Sequence, residues 1–188
     1  MNYHEIRETD LLNGEGIRIS LFCAGCSLAC PNCFNPQTWD FTSGKPFTNE
    51  TIQELITALN KPYIKGLTLT GGNPLEPRNL DTIRDIEKVF RHYFDNKKDI
   101  WLYTGFTWEE LCTITQWQYK SGKVGDSLPM FDALLNADVV VEGRYIDELN
   151  DVKFPYRGST NQRLIDVKKS WSGKEQYFDT KDMVEYKI

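Results

Sequence analysis

Along the chain, short apolar runs alternate with segments whose apolar residues recur at helical spacing. Ile17–Phe22 (IRISLF) reads as a first strand that runs directly into a cysteine-rich loop. Thr48 is suited to cap a helix over about 49–59, where Ile52, Leu55, Ile56 and Leu59 follow the i, i+3, i+4, i+7 rule. Leu67–Thr70 is a short strand ended by Gly71-Gly72-Asn73-Pro74, and Asn79 opens a helix to about Phe94 with Leu80, Ile83, Ile86 and Phe90 on one face. A third strand, Ile100–Thr104, stops at Gly105. Thr107 with Glu110 makes a capping box for a helix to about Trp117. Gln118–Leu128 reads as a surface loop, 129–136 as a short helix, Asp138–Val141 as a buried strand ended by Glu142-Gly143, and Arg163–Val167 as one more strand.

Strand–helix alternation of this kind predicts an α/β fold with a mostly parallel sheet and right-handed crossovers. Four or five such units are too few for a closed eight-stranded barrel, so an open, partial (β/α) barrel is expected, with the cysteine loop after its first strand. Functional groups in such sheets gather at the carboxyl ends of the strands. Here those ends carry the cysteine loop, Gly71–Pro74, Thr104-Gly105 and Glu142–Arg144.

Composition adds limits. A length of 188 residues suits one domain, 1–188, and 40% hydrophobic with 26% charged residues is ordinary for a globular chain. No apolar run approaches the roughly 20 residues needed to span a bilayer, and the opening MNYHEIRETD is polar and acidic, unlike a targeting segment. A cytoplasmic protein without a membrane partner is the expectation. The formal net charge is −5 and the basic residues are scattered, so nucleic acid is not an expected partner either.

Cysteine usage is the anomaly. Of five cysteines, four (Cys23, Cys26, Cys30 and Cys33) fall within eleven residues, a density that in a cytosolic chain points to metal rather than disulfides. Zinc sites usually separate two C-x2-C knuckles by a dozen or more residues, and bacterial ferredoxin spacing is C-x2-C-x2-C-x3-C; neither fits. Cys26, Cys30 and Cys33 instead give C-x3-C-x2-C. Because a cubane takes one thiolate per iron, three cysteines leave one iron open to a further ligand. Cys23 reads as a buried strand-end residue and Cys112 as helix core. His4 and His92 have no companions at ligand spacing, and Gly71-Gly72-Asn73-Pro74 alone is an ordinary turn signal.

C-x3-C-x2-C just after a first strand resembles the signature of the radical S-adenosylmethionine superfamily. Within it the chain is most similar to the activating proteins of anaerobic ribonucleoside-triphosphate reductase. The likeness covers most of 1–167 and includes Asn13-Gly14-Glu15-Gly16, Phe34-Asn35 after the last cysteine, Thr38-Trp39, Gly44–Phe47, Gly71–Leu75, Asp99–Gly105, Val141–Tyr145 and Arg157–Gln162. Residues 168–188 look like a C-terminal extension outside it.

The resemblance implies a 4Fe-4S cluster on Cys26, Cys30 and Cys33 that passes one electron to S-adenosylmethionine. Homolysis then releases methionine and a 5′-deoxyadenosyl radical, which removes hydrogen from a glycine α-carbon of the reductase and leaves a stored glycyl radical. A cellular one-electron reductant such as flavodoxin is the implied electron source. The resemblance also assigns cofactor contacts: Gly71, Gly72 and Asn73 at the methionyl amino group, Asn32, Cys33 and Phe34 near the adenine, Thr104 at the third strand end, and Glu142 with Arg144 as an acidic-x-basic pair facing a carboxylate. The chain departs from the family pattern at Asn73, usually acidic, and at Asn32, where many members carry an aromatic residue. Two rivals stay open: a small-molecule enzyme of the 7-deazaguanine synthase type, and a non-catalytic iron–sulfur electron carrier.

Overall fold

The computed structural model describes residues 1–121 and 128–188. Seven strands form one sheet: β1 (Asn2–Asp10), β2 (Ile17–Cys23), β3 (Lys45–Pro46), β4 (Ile64–Gly71), β5 (Asp99–Tyr103), β6 (Val139–Glu142) and β7 (Arg163–Asp166), in the spatial order β3-β1-β2-β4-β5-β6-β7. The central four, β2, β4, β5 and β6, are parallel neighbours. β1 and β3 on one side and β7 on the other pair antiparallel. The expected α/β class and mostly parallel sheet hold, and the sheet stays open rather than closing into a barrel.

One expectation is corrected. The cysteine loop follows the second strand in chain order, because Asn2–Asp10 forms a strand ahead of it. That strand breaks register between Tyr3 and Glu5 and again between Arg7 and Asp10. Such bulges disrupt the two-residue alternation that marks a strand, and β1 keeps few buried residues.

The helices are α1 (Asn49–Leu59), α2 (Pro77–Phe94), α3 (Trp108–Lys120) and α4 (Pro129–Asn136). Thr48 caps α1, accepting from the Thr51 N–H at 3.4 Å. The capping box of α3 forms as expected: Thr107 accepts from the Glu110 N–H at 3.2 Å while Glu110 accepts from the Thr107 N–H at 2.8 Å. α2 begins at Pro77, two residues before the expected Asn79, since proline suits the first helical turn. α3 runs on to Lys120, so the loop expected over 118–128 starts later; its residues 122–127 lie outside the described residues. Among the described residues no helix is long and apolar enough to cross a membrane.

Period-two alternation gives the central strands two unlike faces. Ile19, Leu21, Leu67, Leu69, Ile100 and Leu102 are fully buried in the main core together with residues of all four helices. Their neighbours Arg18, Ser20, Thr68, Trp101 and Tyr103 face the other way, toward the open side. There the buried Arg18 guanidinium donates to Thr68 Oγ1 at 2.7 Å, pairs with Asp99 at 2.6 Å and lies over the Trp101 ring. The C-terminal segment packs on both sides. Phe178 is buried against Trp108 and Phe131 in the helical layer, whereas Tyr186 stacks on Trp101 and donates to Glu15 at 3.0 Å.

Candidate active site

The carboxyl ends of the parallel strands converge as the topology requires, and a cavity of about 620 Å³ opens among them. It is lined by Cys26, Cys30, Cys33, Gly71, Gly72 and Thr104. Phe34 stands at its mouth, largely exposed, with its ring 4.8 Å from that of Tyr145.

The cysteine loop winds around the cavity through two left-handed residues, Ala29 (φ 44°) and Asn32 (φ 57°). For alanine this is a strained backbone state that surrounding contacts must hold. Those contacts come from two sides. Gly25 and Cys26 donate to the carbonyls of Thr38 and Trp39 at 2.7 and 3.0 Å. The turn after β4 binds from the other side, with Gly72 N–H donating to Cys23 O and Asn73 N–H to Gly25 O, both at 2.8 Å. The contact is close enough to need glycine. Gly71 sits at φ +98°, and a Cβ on Gly72 would lie 2.6 Å from the Gly25 carbonyl oxygen. The glycine pair thus has a packing role between the two loops as well as its place on the cavity wall.

Two polar residues that sequence reasoning passed over complete this clamp. Glu76, just before α2, accepts from both the backbone N–H and the hydroxyl of Ser27 at 2.9 and 2.7 Å. Buried Asn79 in the first turn of α2 donates to the Ala24 carbonyl at 2.9 Å and the Asn73 carbonyl at 3.1 Å. Both lie within six residues of Asn73, so nearness to the glycine turn was the one signal available.

The five cysteines divide clearly. Cys26, Cys30 and Cys33 are partly exposed on the cavity, whereas Cys23 and Cys112 are buried. Burial pushes the Cys23 thiol up to about 12, an environment that opposes a thiolate. Burial also raises Cys26, but the backbone N–H groups of Leu28 and Ala29 favour its charged form. Cys33 Sγ accepts from the Asn35 N–H at 3.4 Å. Three accessible thiols on one cavity, two with backbone donors aimed at sulfur, fit the soft-donor demand of an iron–sulfur cluster.

Other expected site residues lie elsewhere. Glu142 ends β6 with its side chain on the helical side: it accepts from the Trp108 N–H at 2.9 Å and binds Arg163. Burial raises its carboxyl above the usual range, with Arg163 opposing. Arg144 is exposed and grips Glu110 through two contacts of 2.9 and 3.0 Å. The acidic-x-basic pair therefore does not meet at the cavity; alternate residues beyond the strand are drawn to separate partners. Asn32 is exposed and donates to Asp147 at 2.8 Å, tying the cysteine loop to the segment after β6. Asn73 is buried, and its Oδ1 is already taken by the Leu75 N–H at 3.2 Å and the Thr104 hydroxyl at 2.9 Å. Its Nδ2 is left without a partner. The free group at Asn73 is thus a donor, not the acceptor expected for an ammonium.

The profile of the 4Fe-4S single cluster domain family matches residues 12–165. The chain is similar to the anaerobic ribonucleoside-triphosphate reductase-activating protein of Enterobacteria phage T4, at 38% identity over 164 residues that cover 87% of this chain and 93% of that protein. The protein of that name from Escherichia coli (strain K12) is 37% identical over 164 residues, covering 86% of this chain and 96% of its own length. That from Vibrio cholerae is 38% identical over 166 residues, covering 86% and 96%. With matches that span most of both partners, the chain belongs to the 4Fe-4S single cluster domain family that includes the anaerobic ribonucleoside-triphosphate reductase-activating proteins.

Proposed function

We propose that the chain is a radical S-adenosylmethionine enzyme that holds a 4Fe-4S cluster on Cys26, Cys30 and Cys33 and installs a glycyl radical on anaerobic ribonucleoside-triphosphate reductase. The observation that carries the reading is the sorting of the cysteines: three accessible thiols share one cavity with the β4 and β5 strand ends, and the other two are buried. When bound, the cluster and S-adenosylmethionine together supply a 5′-deoxyadenosyl radical able to take hydrogen from a glycine α-carbon.

The protein's own part is to bind, orient and shield. Cys26, Cys30 and Cys33 leave one iron of a cubane free of protein sulfur, which is where S-adenosylmethionine can coordinate. The Gly71-Gly72 turn offers backbone polar groups to the methionyl end, and Thr104 holds that turn through Asn73. Phe34 gives the adenine an apolar ring, and Tyr145 braces it. Glu76 and Asn79 keep the cysteine loop wound by satisfying its backbone groups. A one-electron reductant such as flavodoxin would supply the electron, in keeping with a cytoplasmic protein.

Anaerobic reconstitution should give about four irons and four sulfides per chain. Mixed with the reductase, a reductant and S-adenosylmethionine, the protein should produce a doublet electron paramagnetic resonance signal on the reductase, split by the one remaining glycine α-hydrogen. Deuterated glycine in the reductase should collapse that doublet. Cys30→Ala should abolish release of methionine, and Cys23→Ala should retain it. Methionine release stimulated by a purine or pterin, with no doublet, would move the reading to a small-molecule enzyme. Electron transfer with no methionine release would leave only a carrier.

A further inference from the structure

Most large apolar side chains that the fold leaves exposed could stand anywhere on a surface. Here five of them, Leu11, Leu12, Phe34, Val152 and Phe154, line the same cavity as the three accessible cysteines. They come from three separate stretches: the turn after β1, the cysteine loop, and the segment after β6. Leu12 is 75% exposed and Val152 is 95% exposed, far more than packing within the chain requires. Apolar area gathered from unrelated stretches around one opening marks a contact surface rather than a stray residue.

The charge beside this rim selects the kind of partner. Residues 147–153 (DELNDVK) carry three carboxylates and one lysine, and Asp147 and Glu148 are exposed. An anionic membrane surface would want the opposite sign, as would nucleic acid. An apolar rim flanked by carboxylates suits a polypeptide whose apolar side chains sit on the rim and whose neighbouring charges are neutral or basic.

We infer that Leu11, Leu12, Val152 and Phe154 form the seat of an extended segment of the reductase, apolar on either side of a small residue that reaches the cavity. The inference rests on the activase reading for the identity of its partner. The rim supplies the apolar contacts, and the acidic segment fixes which way the incoming chain runs. Binding at the rim is separate from binding of the cofactor, because these side chains lie outside the cysteine loop and the glycine turn.

The test measures complex formation between the reconstituted protein and the reductase by anaerobic sedimentation, alongside methionine release driven by a chemical reductant without the reductase. Leu12→Asp and Val152→Asp, both highly exposed and so safe for folding, should each weaken the complex by about tenfold or more, with methionine release unchanged. Tyr93→Asp, at an exposed apolar residue on α2, should bind like wild type. Undiminished affinity in both rim variants would overturn the proposal, and so would a loss confined to self-association of this chain. Wild-type protein that binds the reductase through this rim yet releases no methionine would instead remove the activase reading and leave the docking surface standing.

Discussion

The two faces of the four parallel strands differ in what holds them. On the helical side the strands offer leucine and isoleucine to α1–α4, and neighbouring residues substitute for one another with little change in chemistry. On the open side the same strands offer Arg18, Ser20, Thr68, Trp101 and Tyr103, joined by directed contacts such as Arg18 to Thr68 and Asp99. One face is secured by area removed from water; the other depends on polar partners in fixed geometry. A fold can thus carry its stability on one side and leave the other free for chemistry. The cysteine loop and the β4 turn meet at the strand ends, clamped by Glu76 and Asn79.

The largest effect expected from this division involves the C-terminal segment, which touches both faces. Phe178→Ala removes a buried ring from between Trp108 and Phe131 and should cost about 3–5 kcal/mol in urea unfolding. Tyr186→Phe on the open side loses a single hydrogen bond to Glu15 and should cost about 1 kcal/mol. Equal costs would erase the contrast between the faces. Within one strand the comparison is tighter still. Leu69→Ala should cost about 2–5 kcal/mol, whereas Thr70→Ala, one residue on and facing the cavity, should cost about 1 kcal/mol.

Much of the helical face was legible from spacing alone, because apolar periodicity is the direct imprint of burial on one side. The residues of α1 and the Thr107–Glu110 capping box match expectation for that reason. The cysteine loop was legible because three ligands lie within one short stretch. β1 was not, since bulges erase its alternation. Nor was the clamp: Glu76 reaches Ser27 and Asn79 reaches Ala24 across 49 and 55 residues of chain, separations that no local spacing records. The misplaced roles of Glu142 and Arg144 have a similar origin. Adjacent motif letters say which residues are near in sequence, not which face of the strand each takes.

A buried carboxyl tests the helical face from another direction. Glu87 on α2 is fully buried, and neither of its oxygens has a hydrogen-bond partner. Burial raises its pKa well above 4.5, although Arg91 and Arg84 pull the other way. A carboxyl raised in the folded state stabilises fully below its unfolded pKa, and that contribution is lost as pH climbs through the folded value. Glu87→Gln should therefore flatten the fall in stability above about pH 4.5. Parallel pH profiles for the two proteins would mean that Glu87 stays ionised in the fold.

The smallest expected effect is at Arg144, and it decides whether the acidic-x-basic pair belongs to the cofactor site. Its guanidinium is forked onto Glu110, with 43% of the side chain exposed, and that contact raises the pKa of the arginine and lowers that of Glu110. Water screens such a pair, so its loss in Arg144→Ala should cost at most about 1 kcal/mol of stability. Glu142 cannot act as its companion, because it is bound on the helical side to the start of α3 and to Arg163. With neither side chain on the cavity wall, Arg144→Ala should bind S-adenosylmethionine within about twofold of wild type, since a contact of real consequence costs about tenfold. Equilibrium titration of the reconstituted protein reads this directly. A tenfold loss of affinity would mean that Arg144 leaves Glu110 when the cofactor arrives and takes its carboxylate. Glu110→Gln, which frees the arginine from its surface partner, should in that event tighten binding, and in the arrangement seen here it should leave binding unchanged.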